Sequence, residues 1–164
     1  MTEKPTIEKR SFRITRIKLL ILLVVVLLIP LMVYLGMSYT SVEGTTIKLT
    51  AASRGGMPYF VNSFNITVYV YSSATSLNMR VDNPVFVLSA DSYYVGTVSA
   101  ASGTWKPYGS MSYNLQFKTT DYAAGTGLAK TSANQLLVSM SATVSGGIYL
   151  ETVTRFDSST FKFA

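Results

Sequence analysis

The run from Leu19 to Met37, LLILLVVVLLIPLMVYLGM, contains no charged residue and is apolar at nearly every position. At a helical rise of ~1.5 Å per residue, a stretch of this length matches the ~30 Å hydrocarbon core of a bilayer. A segment apolar around its whole circumference has no face to turn toward water, so the sequence predicts one membrane-spanning helix here. The span divides the chain into a basic tail (1–18), the helix (19–37), a linker (38–45) and a folded domain (46–164). Pro30 falls inside the span, where a local kink is tolerated in a helix shielded by lipid or neighbours.

A cleaved signal peptide is the competing reading of the same residues. Cleavable apolar cores run to about 7 to 15 residues and end at a small-x-small site. This core is longer, and Gly36 with Ser38 is the only passable site, which favours an uncleaved anchor. Lys18, not glycine or alanine, precedes the run, which disfavours a pilin-type leader.

Charge sets the direction of insertion. Ahead of the span lie Lys4, Lys9, Arg10, Arg13, Arg16 and Lys18 against Glu3 and Glu8, which accounts for most of the net charge of +6. Cations flanking one side of a span stay in the cytoplasm, so the tail is expected inside and the domain outside. The later cations, Lys48 and Arg54 to Arg155 and Lys162, are scattered singly among carboxylates, and this excludes a nucleic-acid-binding face.

The chain has no cysteine and no histidine. Disulfides, thiolate chemistry and a histidine-based triad are therefore excluded, along with the usual ligands for zinc or copper. No cofactor is expected. The acidic residues after the span are well separated in sequence, and most sit beside turns, where aspartate is a common turn former. Nothing selects a catalytic pair, so the domain is read as non-enzymatic.

From Ser38 onward the composition shifts to Ser, Thr, Gly and Tyr, and the hydropathy pattern takes a period of two. Ile47, Leu49 and Ala51 alternate with polar residues until a breaker cluster at Ser53, Gly55 and Gly56. Phe64, Ile66, Val68 and Val70 are predicted to point one way, and Asn65, Thr67, Tyr69 and Tyr71 the other. Leu77, Met79 and Val81 repeat the theme before Asn83-Pro84, read as a turn into an inner strand over Val85 to Leu88. Tyr93 to Val98 gives another strand, and Gly103 to Gly109 a loop built on a proline turn.

Met111, Tyr113, Leu115 and Phe117 then alternate strictly with polar residues. Gly125 and Gly127 interrupt a Thr/Ala-rich connection, and Gly125-x-Gly127-x-x-Lys130 lacks the helical context of a phosphate loop. Leu136 to Val144 forms a long strand, Gly146-Gly147 a hairpin turn, and Ile148 to Phe156 its return, with Phe161 and Phe163 closing the chain. No stretch after the span shows a helical period. The fold expected is an immunoglobulin-like antiparallel β-sandwich of seven to nine strands behind one transmembrane helix.

Two kinds of surface feature stand out. Asn65-Ile66-Thr67 is the only N-glycosylation triplet, with Asn65 on an outward face. Tyr69 and Tyr71 on the same face, with Trp105 and Tyr108 flanking the proline turn, are the candidate partner surface. For Trp105 and Tyr108 the alternative is that they anchor their loop to the sandwich. Outward tyrosines in a sheet also commonly serve no partner at all.

The order of elements from Ile47 to Phe163 resembles the water-stress and hypersensitive-response domain, the fold of the group 2 late-embryogenesis-abundant proteins and their archaeal and bacterial relatives. The residues carrying the resemblance are Phe64 to Tyr71, Leu77 to Val81 and the hairpin Tyr93-Tyr94-Val95-Gly96-Thr97-Val98. Trp105-Lys106-Pro107-Tyr108-Gly109-Ser110 before an alternating strand, and Leu136 to Val144 ending in glycines, complete it. The family's Asn-Pro usually follows the first long strand directly, whereas here Ser72-Ser73 stands there and Asn83-Pro84 comes later. The resemblance implies a small non-catalytic sandwich, often membrane-tethered, with a structural or protein-binding role. The gross plan is also similar to archaellum accessory proteins that bind a surface layer. That implies an envelope or surface-layer protein, or a second copy of the chain, as partner; a sugar-binding ectodomain is a further alternative.

Overall fold

The computed structural model describes residues 16–57, 59–73, 76–129 and 133–162. Most of the basic tail, Lys130 and Phe163 lie outside the described residues. The chain divides into two compact units, Met1–Val33 and Tyr34–Ala164.

In the first unit the described residues are one helical stretch, the beginning of α1 (Arg16–Glu43), with its apolar side chains exposed. The helix is long and apolar enough to cross a membrane. Pro30 lies within it.

Among its described residues the second unit is an antiparallel sandwich of eight strands together with the C-terminal end of α1. One sheet has the order β1 (Thr45–Met57), β2 (Phe60–Ser72), β6 (Ser110–Lys118). The other runs β4 (Tyr93–Ser99), β3 (Met79–Ala90), β7 (Ala133–Gly146), β8 (Tyr149–Lys162), and β5 (Gly103–Trp105) also pairs with β3. The period-two pattern places the core between the sheets. Phe64, Ile66, Val68 and Val70 of β2 face Phe86 and Leu88 of β3 and Leu136, Val138 and Met140 of β7 within one buried cluster. Each such side chain contributes about 1.5–3 kcal/mol of burial.

Gly103–Trp105, read as part of a loop, pairs with β3 as β5, and four further segments differ from the sequence expectation. Residues 38–43, read as linker, are helical, and Ser38, Ser41 and Val42 are fully buried. The polar composition there reflects packing of small hydroxyl side chains against the sandwich, with Ser38 Oγ and Ser41 Oγ donating to the carbonyls of Tyr34 and Met37. Asn83-Pro84 does not end a strand. Asn83 takes φ 49° and the ladder shifts register between Asp82 and Val85, so β3 passes through a bulge and continues. Gly55-Gly56 likewise forms a bulge inside β1, with Gly56 at φ 130°.

The fourth is a helix, α2 (Tyr122–Ala129), in the Thr/Ala/Gly connection. Two glycines weaken its intrinsic propensity. Gly125 is required because Phe60 and the Val61 carbonyl occupy the space a Cβ would fill, and Leu128 is buried beneath the helix.

Candidate functional site

The outer face of the β1-β2-β6 sheet carries the candidate surface. β2 is its central strand, and alternation turns Asn65, Thr67, Tyr69 and Tyr71 away from the core. Register sets Tyr69 between Lys48 and Ser112, and Tyr71 between Thr46 and Ser110. The β5–β6 turn, closed by the Gly109 amide donating to the Lys106 carbonyl at 2.9 Å, brings Tyr108 to the same place. A shallow groove of about 450 Å³ results, lined by Lys48, Thr50, Tyr69, Tyr71, Ser72, Tyr108, Gly109 and Ser110.

Three of the four aromatic residues named from sequence therefore share one groove. Tyr108 is 87% exposed and held at φ 61°, a conformation that costs a tyrosine roughly 1–2 kcal/mol. Trp105 does not join them. It is 5% exposed, pairs with Met79 through the β5–β3 ladder, and belongs to the core, so it anchors its own strand and offers no partner surface. Lys48 and Thr50, which alternation alone gives no role, also line the groove. Their outward alternation was visible, but the pairing that sets Lys48 beside Tyr69 was not.

The groove presents aromatic faces, hydroxyls and one cation, without a carboxylate. Such a lining suits contact with another macromolecule and lacks an acid–base pair. Carboxylates elsewhere have structural partners. Asp82 is held by Arg80 at 2.9 Å, Asp91 accepts from Asn134 and Gln135, Asp157 accepts the Leu49 amide, Glu151 accepts the Tyr149 hydroxyl, and Glu43 pairs with Arg155. The hydrogen bond from Arg80 holds the Asp82 carboxyl below the usual aspartate range. Among the described residues, no three His, Cys, Asp or Glu side chains cluster to hold a metal.

The second constructed feature is the seat of the helix end. The Gly146-Gly147 turn packs against Tyr34, Ser38 and Ser41, and Gly147 at φ 62° leaves no room for a side chain. Tyr39 meets Tyr149 edge-to-face with centroids 5.3 Å apart. Ser72 Oγ donates to the Ser41 carbonyl at 2.6 Å, and Arg155 donates to the carbonyls of Glu43 and Thr45 at 3.0 and 2.7 Å. A cation on the last helical carbonyls also complements the helix dipole.

No family model matches this sequence, and no curated protein sequence does. Solved structures show some likeness. A solution structure from Arabidopsis thaliana aligns with TM-score 0.52 at 12% identity, over 72% of this chain and 82% of that one. A crystal structure from Archaeoglobus fulgidus aligns with TM-score 0.43 at 14% identity, over 70% and 97%. A solution structure described as a late embryogenesis abundant protein aligns with TM-score 0.38 at 14% identity, over 72% and 70%. At 12% identity the likeness to the Arabidopsis thaliana structure is one of fold alone.

Proposed function

We propose that this protein is a membrane-anchored, non-enzymatic β-sandwich with a structural, protein-binding role at the cell envelope. The tail lies inside, the sandwich outside, and the Tyr69–Tyr71–Tyr108 groove is the docking surface. The observation carrying this reading is the α1 helix. Its apolar part is long enough for a bilayer, while at its C-terminal end Val42 belongs to the sandwich core and Ser38 and Ser41 are fully buried. Cleavage after Ser38 would cut through a packed helical turn, which supports an anchor that stays attached. The late-embryogenesis resemblance agrees with a non-catalytic role, and an envelope filament or surface-layer protein is the partner class that suits the groove.

The test is crosslinking of the full chain in its native membranes, followed by detergent solubilisation and affinity capture. One dominant envelope protein should co-purify, and Tyr69→Ala or Tyr108→Ala should reduce it about tenfold, the loss of ~1.4 kcal/mol expected of an aromatic contact. A partner list unchanged by either substitution would overturn the assignment of the groove.

A further inference from the structure

We propose that Asn65 is an N-glycan acceptor, a modification site separate from the tyrosine groove. This rests on the placement of the sandwich outside the membrane. Asn65 is exposed near the middle of β2, flanked in register by Ser53 on β1 and Gln116 on β6. The next row toward the helix end is Ala51, Thr67 and Asn114. The β1 bulge between Leu49 and Ala51 and the small side chains of Ala51 and Ala52 leave a hollow of about 430 Å³ beside the acceptor. Ser53, Thr67, Asn114 and Gln116 line it with uncharged donors and acceptors, and no carboxylate or lysine does. A sugar on Asn65 thus has room to lie against the sheet without burying a charge.

In the transfer step the Asn65 amide nitrogen bonds to the anomeric carbon of an oligosaccharide carried on a polyprenyl phosphate. The carbon–oxygen bond to phosphate breaks with its electron pair on the leaving phosphate, and the amide proton passes to a base of the transferase. In the folded sheet the Thr67 hydroxyl, which the acceptor triplet needs, donates to Asn114 Oδ1 at 2.9 Å. β6 follows β2 in the chain, so the triplet is free before β6 pairs. Transfer therefore precedes completion of this sheet.

The experiment is mass spectrometry of the full chain purified from its native membranes, as wild type, Thr67→Ser and Thr67→Ala. The peptide containing Asn65 should carry a sugar mass in wild type and in T67S, and lose it in T67A. A bare Asn65 peptide in the wild type would overturn the proposal. Because the chain has no cysteine, Ser76→Cys in an exposed loop reports the side of the membrane with an impermeant maleimide. Labelling on intact cells with bare Asn65 refutes glycosylation and leaves the outside placement standing. Labelling only after lysis refutes the placement and the proposal with it.

Discussion

The Asp157 carboxylate accepts the Leu49 amide at 2.7 Å, joining β8 to the free edge of β1. Two residues earlier, Arg155 reaches from the same strand to the Thr45 carbonyl at 2.7 Å. β1 and β8 are edge strands of different sheets, and these two side chains stand in for the ladder that β1 lacks on that side.

Removing the acceptor should expose what it contributes. Asp157→Ala leaves the Leu49 amide without its partner and is expected to cost about 1–3 kcal/mol. Asp157→Asn keeps an oxygen in reach and should cost less. Chemical denaturation of the purified wild type and both variants, read by circular dichroism, ranks the three; an Asp157→Ala variant as stable as wild type would mean the bond contributes nothing measurable.

Gly147→Ala places a methyl 2.6 Å from Ser38 Oγ and 2.7 Å from the Tyr34 hydroxyl, on a backbone at φ 62°. The conformational part alone costs roughly 1–2 kcal/mol, and the contact adds to it. In a Ser38→Ala background the contact is partly relieved, so the added loss should shrink while the conformational part persists. Gly127→Ala is the contrast. Its Cβ meets only the Tyr93 ring at 3.6 Å, within a helix, and the change should be neutral or stabilising by up to about 1 kcal/mol.

Trp105→Ala and Tyr108→Ala separate core from surface. The first empties a buried site and should cost about 3–5 kcal/mol. The second removes an exposed ring, and Tyr108→Gly should raise stability by up to about 1–2 kcal/mol by relieving its positive φ. Thermal melts of the three variants check this, and a Tyr108→Ala loss as large as that of Trp105→Ala would contradict it.

Alkaline stability should depend on Tyr113. Burial first, and the nearby Asp82 carboxylate second, push its phenol up to about 12, and its hydroxyl donates to the Ala101 carbonyl at 3.2 Å. The folded state therefore holds the proton more tightly than the unfolded chain, whose tyrosines titrate near pH ~10. This contribution is fully present below pH ~10 and is lost as pH rises through about 12. Tyr113→Phe should flatten that part of the pH–stability curve relative to wild type. An unchanged slope would remove Tyr113 as its source.

Much of this was legible in the sequence because strand alternation is local. Phe64 to Val70 and Tyr113 to Phe117 turn inward as their pattern requires, and Leu136 to Val144 does the same. What escaped depends on partners distant in the chain. Within α2, position 125 admits only glycine because Phe60 fills the space of a Cβ, and Ser38 and Ser41 are buried against Gly146 and Gly147. Asn83-Pro84 looks like a turn until β7 is present to hold β3 straight on both sides of its bulge. The groove was half legible. Outward tyrosines on β2 followed from alternation, whereas the sorting of Trp105 into the core and Tyr108 onto the surface depends on β5 pairing with β3.

The central claim is that α1 remains part of the mature protein and holds it in the membrane. Intact-mass measurement of the protein recovered from native membranes after an alkaline carbonate wash tests it directly. The account predicts that the protein stays in the membrane fraction with residues 19–37 still attached. A soluble product beginning at or near Tyr39 would contradict it.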